Sequence, residues 1–290
     1  MAIYPNQKDY LILFLLGALW GSSFGAIKIA LNGVSPLTVT SVRIILAGIV
    51  LLFITLLRKS PFPSGFKNWN KIFWMALSGT LLPFFLVPWG QKQIDSNLAS
   101  ILMAVNPLFA LILGHFFSRN ENFSLRKLIS ILVGFSGILL VFGENAFAST
   151  YGNIWAKLAV IMAGVGYTIS GVIATRMEKF SADSVTASIF IFASVIILPF
   201  WLIVEKPWNI KLGTESFLAL LHLGLVSTGM AFLMRYYIIL RAGAVFLSYV
   251  AFLIPMFGIF FGVFFLEESV SFNAVLAVIL ILLGVFIGRK

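Results

Sequence analysis

The chain has 290 residues, of which 60% are hydrophobic and only 10% are charged, and its mean hydropathy is +1.05. A soluble globular domain carries about 25% charged residues. This composition therefore excludes a water-soluble domain, a nucleic-acid-binding protein and a disordered chain. The net charge of +10 is spread thinly among long apolar runs, without a basic cluster. The absence of cysteine excludes a disulfide scaffold, a cysteine zinc site and a thiol nucleophile.

Long apolar runs dominate the chain. A helix needs roughly 20 apolar residues to cross the hydrocarbon core of a bilayer, whereas the strands of a β-barrel are shorter and alternate in polarity. We therefore predict an all-α membrane protein with ten transmembrane helices, called spans 1 to 10 below. In chain order they cover Leu11–Leu31, Leu37–Leu57, Lys71–Gly90, Asn97–Phe117, Arg126–Gly143, Ile154–Thr175, Ser184–Val204, Glu215–Leu240, Val245–Leu266 and Phe272–Gly288.

The basic residues predict the orientation, because cytoplasmic loops are enriched in Lys and Arg. With the N-terminus inside, fourteen of the 20 basic residues, Arg235 among them, fall on the cytoplasmic side and four on the opposite side. The other two, Lys28 and Arg43, lie within spans. We therefore predict that both termini are cytoplasmic.

Two series of motifs repeat in the same order. Val34-Ser35-Pro36-Leu37-Thr38-Val39-Thr40 corresponds to Phe180-Ser181-Ala182-Asp183-Ser184-Val185-Thr186. Ser100 and Pro107 in span 4 have the same spacing as Ser248 and Pro255 in span 9. We predict two five-helix repeats, residues 1–146 and 147–290. Because five is odd, the second repeat crosses the membrane in the opposite sense. Inverted repeats are characteristic of transporters, and the alternative is a duplication that only enlarges a scaffold.

These motifs resemble the drug/metabolite transporter superfamily, in its ten-helix EamA-type branch, over essentially the whole chain. The resemblance rests on Trp20-Gly21-Ser22-Ser23-Phe24, Ser35-Pro36, Arg43, the prolines of spans 4 and 9, Glu121, Glu268, Gly137 and Gly284. It implies a multi-pass carrier of the bacterial inner membrane, an exporter of amino acids or other small metabolites. Sugar and nucleotide-sugar carriers share the superfamily, so the substrate stays open. In the second repeat Gly166 stands at the position of Trp20 and Ile189 at that of Arg43, which confines any role of Trp20 and Arg43 to one repeat.

Proline interruptions in corresponding helices are the best sequence pointer to the binding site of a transporter. Pro107 and Pro255 each lie about ten residues into their spans, where a missing N–H leaves a carbonyl free one turn earlier. We predict helix breaks or gating there, a packing kink being the alternative. Ser100 and Met103 share a helical face with Pro107, and Ser248 is the counterpart of Ser100. Ser100, Met103 and Ser248 are candidate cavity residues.

Further candidates for the cavity wall lie on the other spans. Trp20 and Ser23 share a face of span 1, and Tyr167 and Ser170 share a face of span 6. Thr80 and Phe84 in span 3 and Thr228 in span 8 complete the candidates. Of the two charges inside spans, we expect Lys28 to extend toward the membrane surface. Arg43 lies deeper, and we expect it to face a water-filled vestibule or carbonyl groups.

What the spans lack limits the mechanism. All ten carboxylates fall at span ends or in loops, whereas proton-coupled carriers hold acids or histidines within the membrane. We therefore predict a facilitator, without cofactor, metal site or P-loop, whose partners are a small-molecule substrate and the bilayer, and for which a monomer suffices. The other possible functions are an intramembrane enzyme, a channel and a scaffold. The chain contains neither an HExxH motif nor a cysteine, which argues against the enzyme.

Overall fold

The computed structural model describes residues 5–106, 108–109, 125–142, 154–177 and 179–288. Within these ranges the chain is helical and contains no strand. The α-helices are α1 Gln7–Leu31, α2 Pro36–Leu57, α3 Phe66–Ala76, α4 Leu82–Gln91, α5 Ser96–Met103, α6 Leu125–Phe142, α7 Ile154–Ala174, α8 Ala182–Val204, α9 Thr214–Leu221, α10 Ala231–Ser248, α11 Val250–Leu266 and α12 Phe272–Gly288. Short 3-10 turns cover Thr175–Met177 and Pro207–Asn209.

Six helical segments of the described chain are long and apolar enough to cross a bilayer. They are Gln7–Leu31, Pro36–Leu57, Phe66–Gln91, Ile154–Ala174, Ala182–Val204 and Thr214–Ile239, and shorter apolar helices such as Phe272–Gly284 accompany them. The predicted class, an all-helical membrane protein, is confirmed by these segments. The count of ten spans and the orientation stay predictions.

Polar caps set the first turns of two helices. At α1, the side chain of Asn6 accepts a hydrogen bond from the Asp9 N–H, and the Asp9 carboxylate accepts one from the Asn6 N–H. This reciprocal cap starts the helix earlier than the apolar run that predicted it. At α2, the Ser35 hydroxyl accepts from the Thr38 N–H and Pro36 occupies the first helical position, where its missing N–H costs nothing.

Two helical segments widen into π-helix. Leu77–Leu81 joins α3 to α4, and His222–Met230 joins α9 to α10. In the first, the Leu82 N–H reaches back to the Leu77 carbonyl, five residues away, just before Pro83. Thr80 lies in the first segment and Thr228 in the second. The number of residues between them is the same as between Ser100 and Ser248, so they occupy equivalent positions in the two predicted repeats. π-Turns are rare and frequently accompany functional sites.

The predicted gap between spans 8 and 9 is wrong. We expected the chain to leave the helix between Leu240 and Val245, but α10 continues through this stretch to Ser248, and the interruption falls at Tyr249. Arg241 lies within this continuous helix, and the carboxylate of Asp9 lies 2.9 Å from its Nε.

The helices pack in a regular set of pairs. Helix α2 packs on α8, α5 on α11 and α6 on α12, while α1 packs on α10 and α11 and α7 packs on α4 and α5. Glycine permits the closest of these approaches: a Cβ on Gly21 of α1 would lie 2.4 Å from the Cβ of Phe257. Gly17 and Gly21 therefore set the distance between α1 and α11.

Candidate functional site

A cavity of about 310 Å³ lies among α1, α2, α4, α5, α7, α10 and α11. Most of its wall is apolar, with Trp20, Phe24, Tyr167 and Phe232 as the aromatic members. Its polar side chains are Ser23, Arg43, Asn106, Thr168 and Arg235, and no carboxylate occurs among the described residues that line it. The cavity thus combines an apolar wall with two guanidinium groups, a pattern typical of sites for small organic ligands.

Arg43 enters the cavity from α2 and is held on two sides. Its Nε donates a 2.6 Å hydrogen bond to the Thr228 hydroxyl in the second π-segment, and its guanidinium lies 4.0 Å from the centre of the Phe84 ring. Only 5% of the residue is exposed. The remaining N–H groups of this guanidinium have no hydrogen-bond partner among the described residues, which leaves them free for a ligand. Arg43 therefore lines a cavity, and its described hydrogen-bond acceptor is a hydroxyl and not a carbonyl group.

Arg235 is the second cation at the cavity. Its position corrects the predicted assignment of basic residues to the two sides of the membrane. We assigned it to the cytoplasmic side, but it is only 7% exposed, lines the cavity and lies within the Thr214–Ile239 segment. Its guanidinium carbon lies 5.4 Å from the ring centre of Phe232 and 5.7 Å from that of Tyr236. No described carboxylate pairs with it. Cation–π contacts with two rings replace part of the lost hydration.

Tyr167 and Asn106 supply the neutral hydrogen-bonding groups next to these cations. The Tyr167 side chain lines the same cavity as Arg43 and Arg235 and interacts electrostatically with both. The Asn106 side chain packs against Gly164, and its Oδ1 is buried without a hydrogen-bond partner in the described structure. A buried carbonyl oxygen without a donor is costly.

Several predicted cavity residues instead lie behind the wall or in helix contacts. Trp20, Ser23, Met103, Tyr167 and Arg43 line the cavity. Phe84 and Thr228 do not line it but hold Arg43 from behind. Thr80 is buried, and its hydroxyl has no partner among the described residues. Ser100 and Ser170 each fill the space left by a glycine of another helical segment, Gly258 and Gly79 respectively.

The predicted proline breaks divide between described and undescribed chain. Pro107 lies outside the described residues, as does Glu121, although α5 ends at Met103, one turn before Pro107. Pro255 lies inside α11, which continues through it. Ser248 is the last residue of α10. Pro255 does not belong to the described cavity lining.

Ser23 also stands at the centre of a G-x-S-x-G sequence, Gly21-Ser22-Ser23-Phe24-Gly25, which in hydrolases marks a nucleophile. That motif needs a sharp turn from strand to helix, whereas Ser23 lies inside α1 and donates a 2.6 Å hydrogen bond to the Trp20 carbonyl. The neighbouring Ser22 lies 3.0 Å from Nε2 of His222, which also contacts Ser227 at 2.9 Å. This geometry does not favour nucleophilic catalysis.

One end of the helix bundle, which we call the Glu268 end, is closed by polar contacts. Lys28 donates to the carbonyl groups of Gln91 and Ile94, at 3.2 Å and 3.0 Å, and lies 3.8 Å from Asp95. Ser35 donates a 2.6 Å hydrogen bond to Glu205. Lys28 therefore extends toward the helix ends, as predicted, and not into the cavity.

Glu268 closes the same end by capping a helix that lies far away in sequence. Its carboxylate accepts hydrogen bonds from the Ser96 N–H, the Ser96 hydroxyl and the Asn97 N–H, at 2.7 Å, 2.8 Å and 2.9 Å. Asp95, the residue before α5, makes no capping hydrogen bond with its side chain. A carboxylate at a helix N-terminus satisfies free N–H groups and interacts favourably with the helix dipole.

Sequence reasoning missed Arg235, Asn106 and Thr168. Arg235 carried a signal, since it falls inside predicted span 8, where a charge is expensive and marks a functional pathway. Asn106 directly precedes the predicted break at Pro107, which also could have drawn attention to it. Thr168 is one of many hydroxyl residues in the spans, and nothing in the sequence distinguishes it.

Comparison with known proteins agrees with this architecture. The chain is 27% identical over 284 residues to an uncharacterized transporter of Archaeoglobus fulgidus, covering 97% of this chain and 98% of the relative. It is 23% identical over 271 residues to the uncharacterized transporter YoaV of Bacillus subtilis, covering 93% and 92%. A crystal structure with 19% identity matches the fold with a TM-score of 0.68 over 98% of this chain and 96% of that one.

The family comparison covers both halves of the chain. The model of the EamA-like transporter family matches residues 8–143 and matches again at residues 150–288. Together with the apolar helices and the central cavity, this match identifies a multi-pass membrane protein of a transporter family and confirms the resemblance found in the sequence. The chain belongs to the EamA-like transporter family.

Proposed function

We propose that this protein exports small polar or amphipathic metabolites, amino acids first, by alternating access through the central cavity. It lies in the bacterial inner membrane with ten spans and both termini in the cytoplasm, and it works as a monomer. The observation that carries this proposal is the cavity itself, which is built from helices of residues 1–146 and 147–290 alike. The direction of transport follows from the family resemblance.

The helix pairs support an inverted repeat. Under the two-fold relation predicted from the sequence, spans 2 and 7, 4 and 9, and 5 and 10 exchange places. The pairs α2–α8, α5–α11 and α6–α12 correspond to these spans. The same relation turns the contacts of α1 with α10 and α11 into those of α7 with α4 and α5. Two interchangeable packings of such halves open a central site first to one side and then to the other.

The polar contacts at the Glu268 end support a cavity closed on the extracellular side. In the proposed orientation this end faces outward, and the cavity lining reaches Ile239 and Leu247, near Arg241 at the opposite end. The chain has no cysteine, so cysteine pairs can be introduced without background. A Cβ on Gly25 would lie 3.8 Å from the Cβ of Phe261, a separation that suits a disulfide.

The pair Gly25→Cys and Phe261→Cys therefore tests alternating access. Oxidation should lock α1 to α11 near the Glu268 end and stop substrate counterflow in proteoliposomes, and reduction should restore it. Each single variant, oxidised in the same way, serves as the control. Full counterflow with the disulfide present in all molecules would contradict opening between α1 and α11.

A panel of labelled amino acids, sugars and nucleotide sugars in the same counterflow assay tests the substrate class. We expect amino acids to exchange and the sugars not to, and the reverse result would favour the sugar-carrier alternative. We further propose a facilitator, because no described carboxylate lines the cavity and His222 contacts only hydroxyl groups. Counterflow that responds to an imposed pH gradient at constant membrane potential would contradict this.

A further inference from the structure

The cavity carries two positive charges that no described residue neutralises. Arg43 and Arg235 are 5% and 7% exposed, and neither forms a salt bridge with a described carboxylate. Their described partners are a hydroxyl and aromatic rings. Buried charges are normally paired, because an isolated charge in a low-dielectric environment is costly. Among the described residues these arginines therefore lack an anionic partner, which a bound ligand would supply.

The rest of the cavity wall indicates what kind of chemical group is attached to this anion in the ligand. Trp20 and Phe232 present rings to the cavity, and Ile27, Val87 and Ile254 are among its aliphatic members. Such a surface stabilises an apolar group by excluding water. Tyr167 lines the same cavity as the two guanidinium groups and adds a hydroxyl donor to its wall. The wall therefore favours an amphipathic ligand with its negative end at the arginines.

Resting on the transport function proposed above, we infer that the substrates are organic carboxylates with an apolar body, whose carboxylate binds between Arg43 and Arg235. Guanidinium groups match a carboxylate in charge and in hydrogen-bond geometry. A cation without a carboxylate meets two like charges and is rejected.

Three small molecules that each have one phenyl ring test whether the cavity binds carboxylates and rejects amines. They are 3-phenylpropionate, which has only the carboxylate, phenylalanine, which has the carboxylate and the ammonium, and phenethylamine, which has only the ammonium. Added to the purified wild-type protein, a ligand that binds the folded state raises its melting temperature. We expect 3-phenylpropionate to stabilise the protein at least as much as phenylalanine and phenethylamine to have no effect. Stabilisation by phenethylamine equal to that by 3-phenylpropionate, or none by 3-phenylpropionate at millimolar concentration, would overturn the inference.

Variants of the two arginines test whether they form the carboxylate-binding site. Arg43→Gln and Arg235→Gln should each raise the Kd of 3-phenylpropionate at least tenfold, or about 1.4 kcal/mol. Arg176→Gln removes the same charge from an exposed residue outside the cavity lining and should leave the Kd unchanged. The double variant should bind phenethylamine measurably, a gain that misfolding does not produce. Unchanged affinity for 3-phenylpropionate in both single variants would refute the assignment.

The same probes separate this inference from the proposed function. If 3-phenylpropionate binds in the expected order but no compound shows counterflow, the carboxylate site stands and the transport proposal fails. If counterflow occurs and phenethylamine is exchanged as rapidly as 3-phenylpropionate, transport stands and the carboxylate site fails.

Discussion

Replacing Glu268 by Gln tests whether its carboxylate holds the first turn of α5. In the wild type this group accepts three hydrogen bonds, two from backbone N–H groups and one from the Ser96 hydroxyl. The Glu268→Gln variant keeps one carbonyl oxygen but loses the charge, and its new NH₂ group would face N–H donors. The α5 N-terminus has no side-chain cap from Asp95 to take over.

The size of the effect follows from the type of hydrogen bond. A hydrogen bond to a charged group contributes about 1.5–3 kcal/mol, but Glu268 is partly exposed and water replaces part of what is lost. One acceptor also survives in the variant. We therefore expect the free energy of unfolding to fall by about 1.5–3 kcal/mol in total, the range of a single such bond. At about 2–4 °C per kcal/mol, the melting temperature falls by about 3–12 °C.

The assay is thermal unfolding of the purified protein in detergent, with Glu267→Gln as the matched control. Glu267 is the adjacent residue, is exposed and has no described hydrogen bond from its side chain, so its substitution removes the same charge without the cap. We expect the control to melt within about 1 °C of the wild type, since surface substitutions are usually neutral. A melting temperature of Glu268→Gln equal to that of the control would refute the capping role.

Two further substitution pairs test the packing and the arginine contact. Thr228→Val removes the hydroxyl that accepts a hydrogen bond from Arg43 and should lower the free energy of unfolding by about 1–3 kcal/mol. Thr80→Val, at the equivalent position of the first π-segment, removes a hydroxyl that has no described partner. It should be nearly neutral in the same melting assay. Gly21→Ala forces a Cβ to within 2.4 Å of a neighbouring Cβ and should cost about 1–3 kcal/mol, whereas Gly25→Ala finds its nearest neighbour at 3.7 Å and should melt like the wild type.

The sequence was sufficient for the class of fold and for most helix boundaries, because continuous apolar length is a strong signal in a membrane protein. Predicted span 10 coincides with α12. The errors fall at boundaries where polar contacts occur, as at the Asn6 cap of α1 and at Arg241, which lies inside α10 and pairs with Asp9. Such contacts depend on residues distant in sequence or on rotamers, and apolar length does not record them.

The site was only partly predictable, because helical periodicity identifies a face but not the helix that covers it. Ser100 shares a face with Met103, yet Gly258 of α11 approaches Ser100 so closely that no space for a ligand remains there. Ser170 is covered in the same way by Gly79. Arg235 was overlooked for a different reason, since counting charges by loop assigns a basic residue near a helix end to the membrane surface.

The cap that Glu268 provides also bears on how the chain is made. The carboxylate lies 172 residues after Ser96, whose N–H it accepts. At a synthesis rate of about 5–20 residues per second, α5 waits roughly 10–30 s after it emerges before its cap exists. During this interval the first half of the protein stands in the membrane with an incomplete helix end. Insertion of the second half therefore completes the first, so a nascent chain released between the two would be a ready target for membrane quality control.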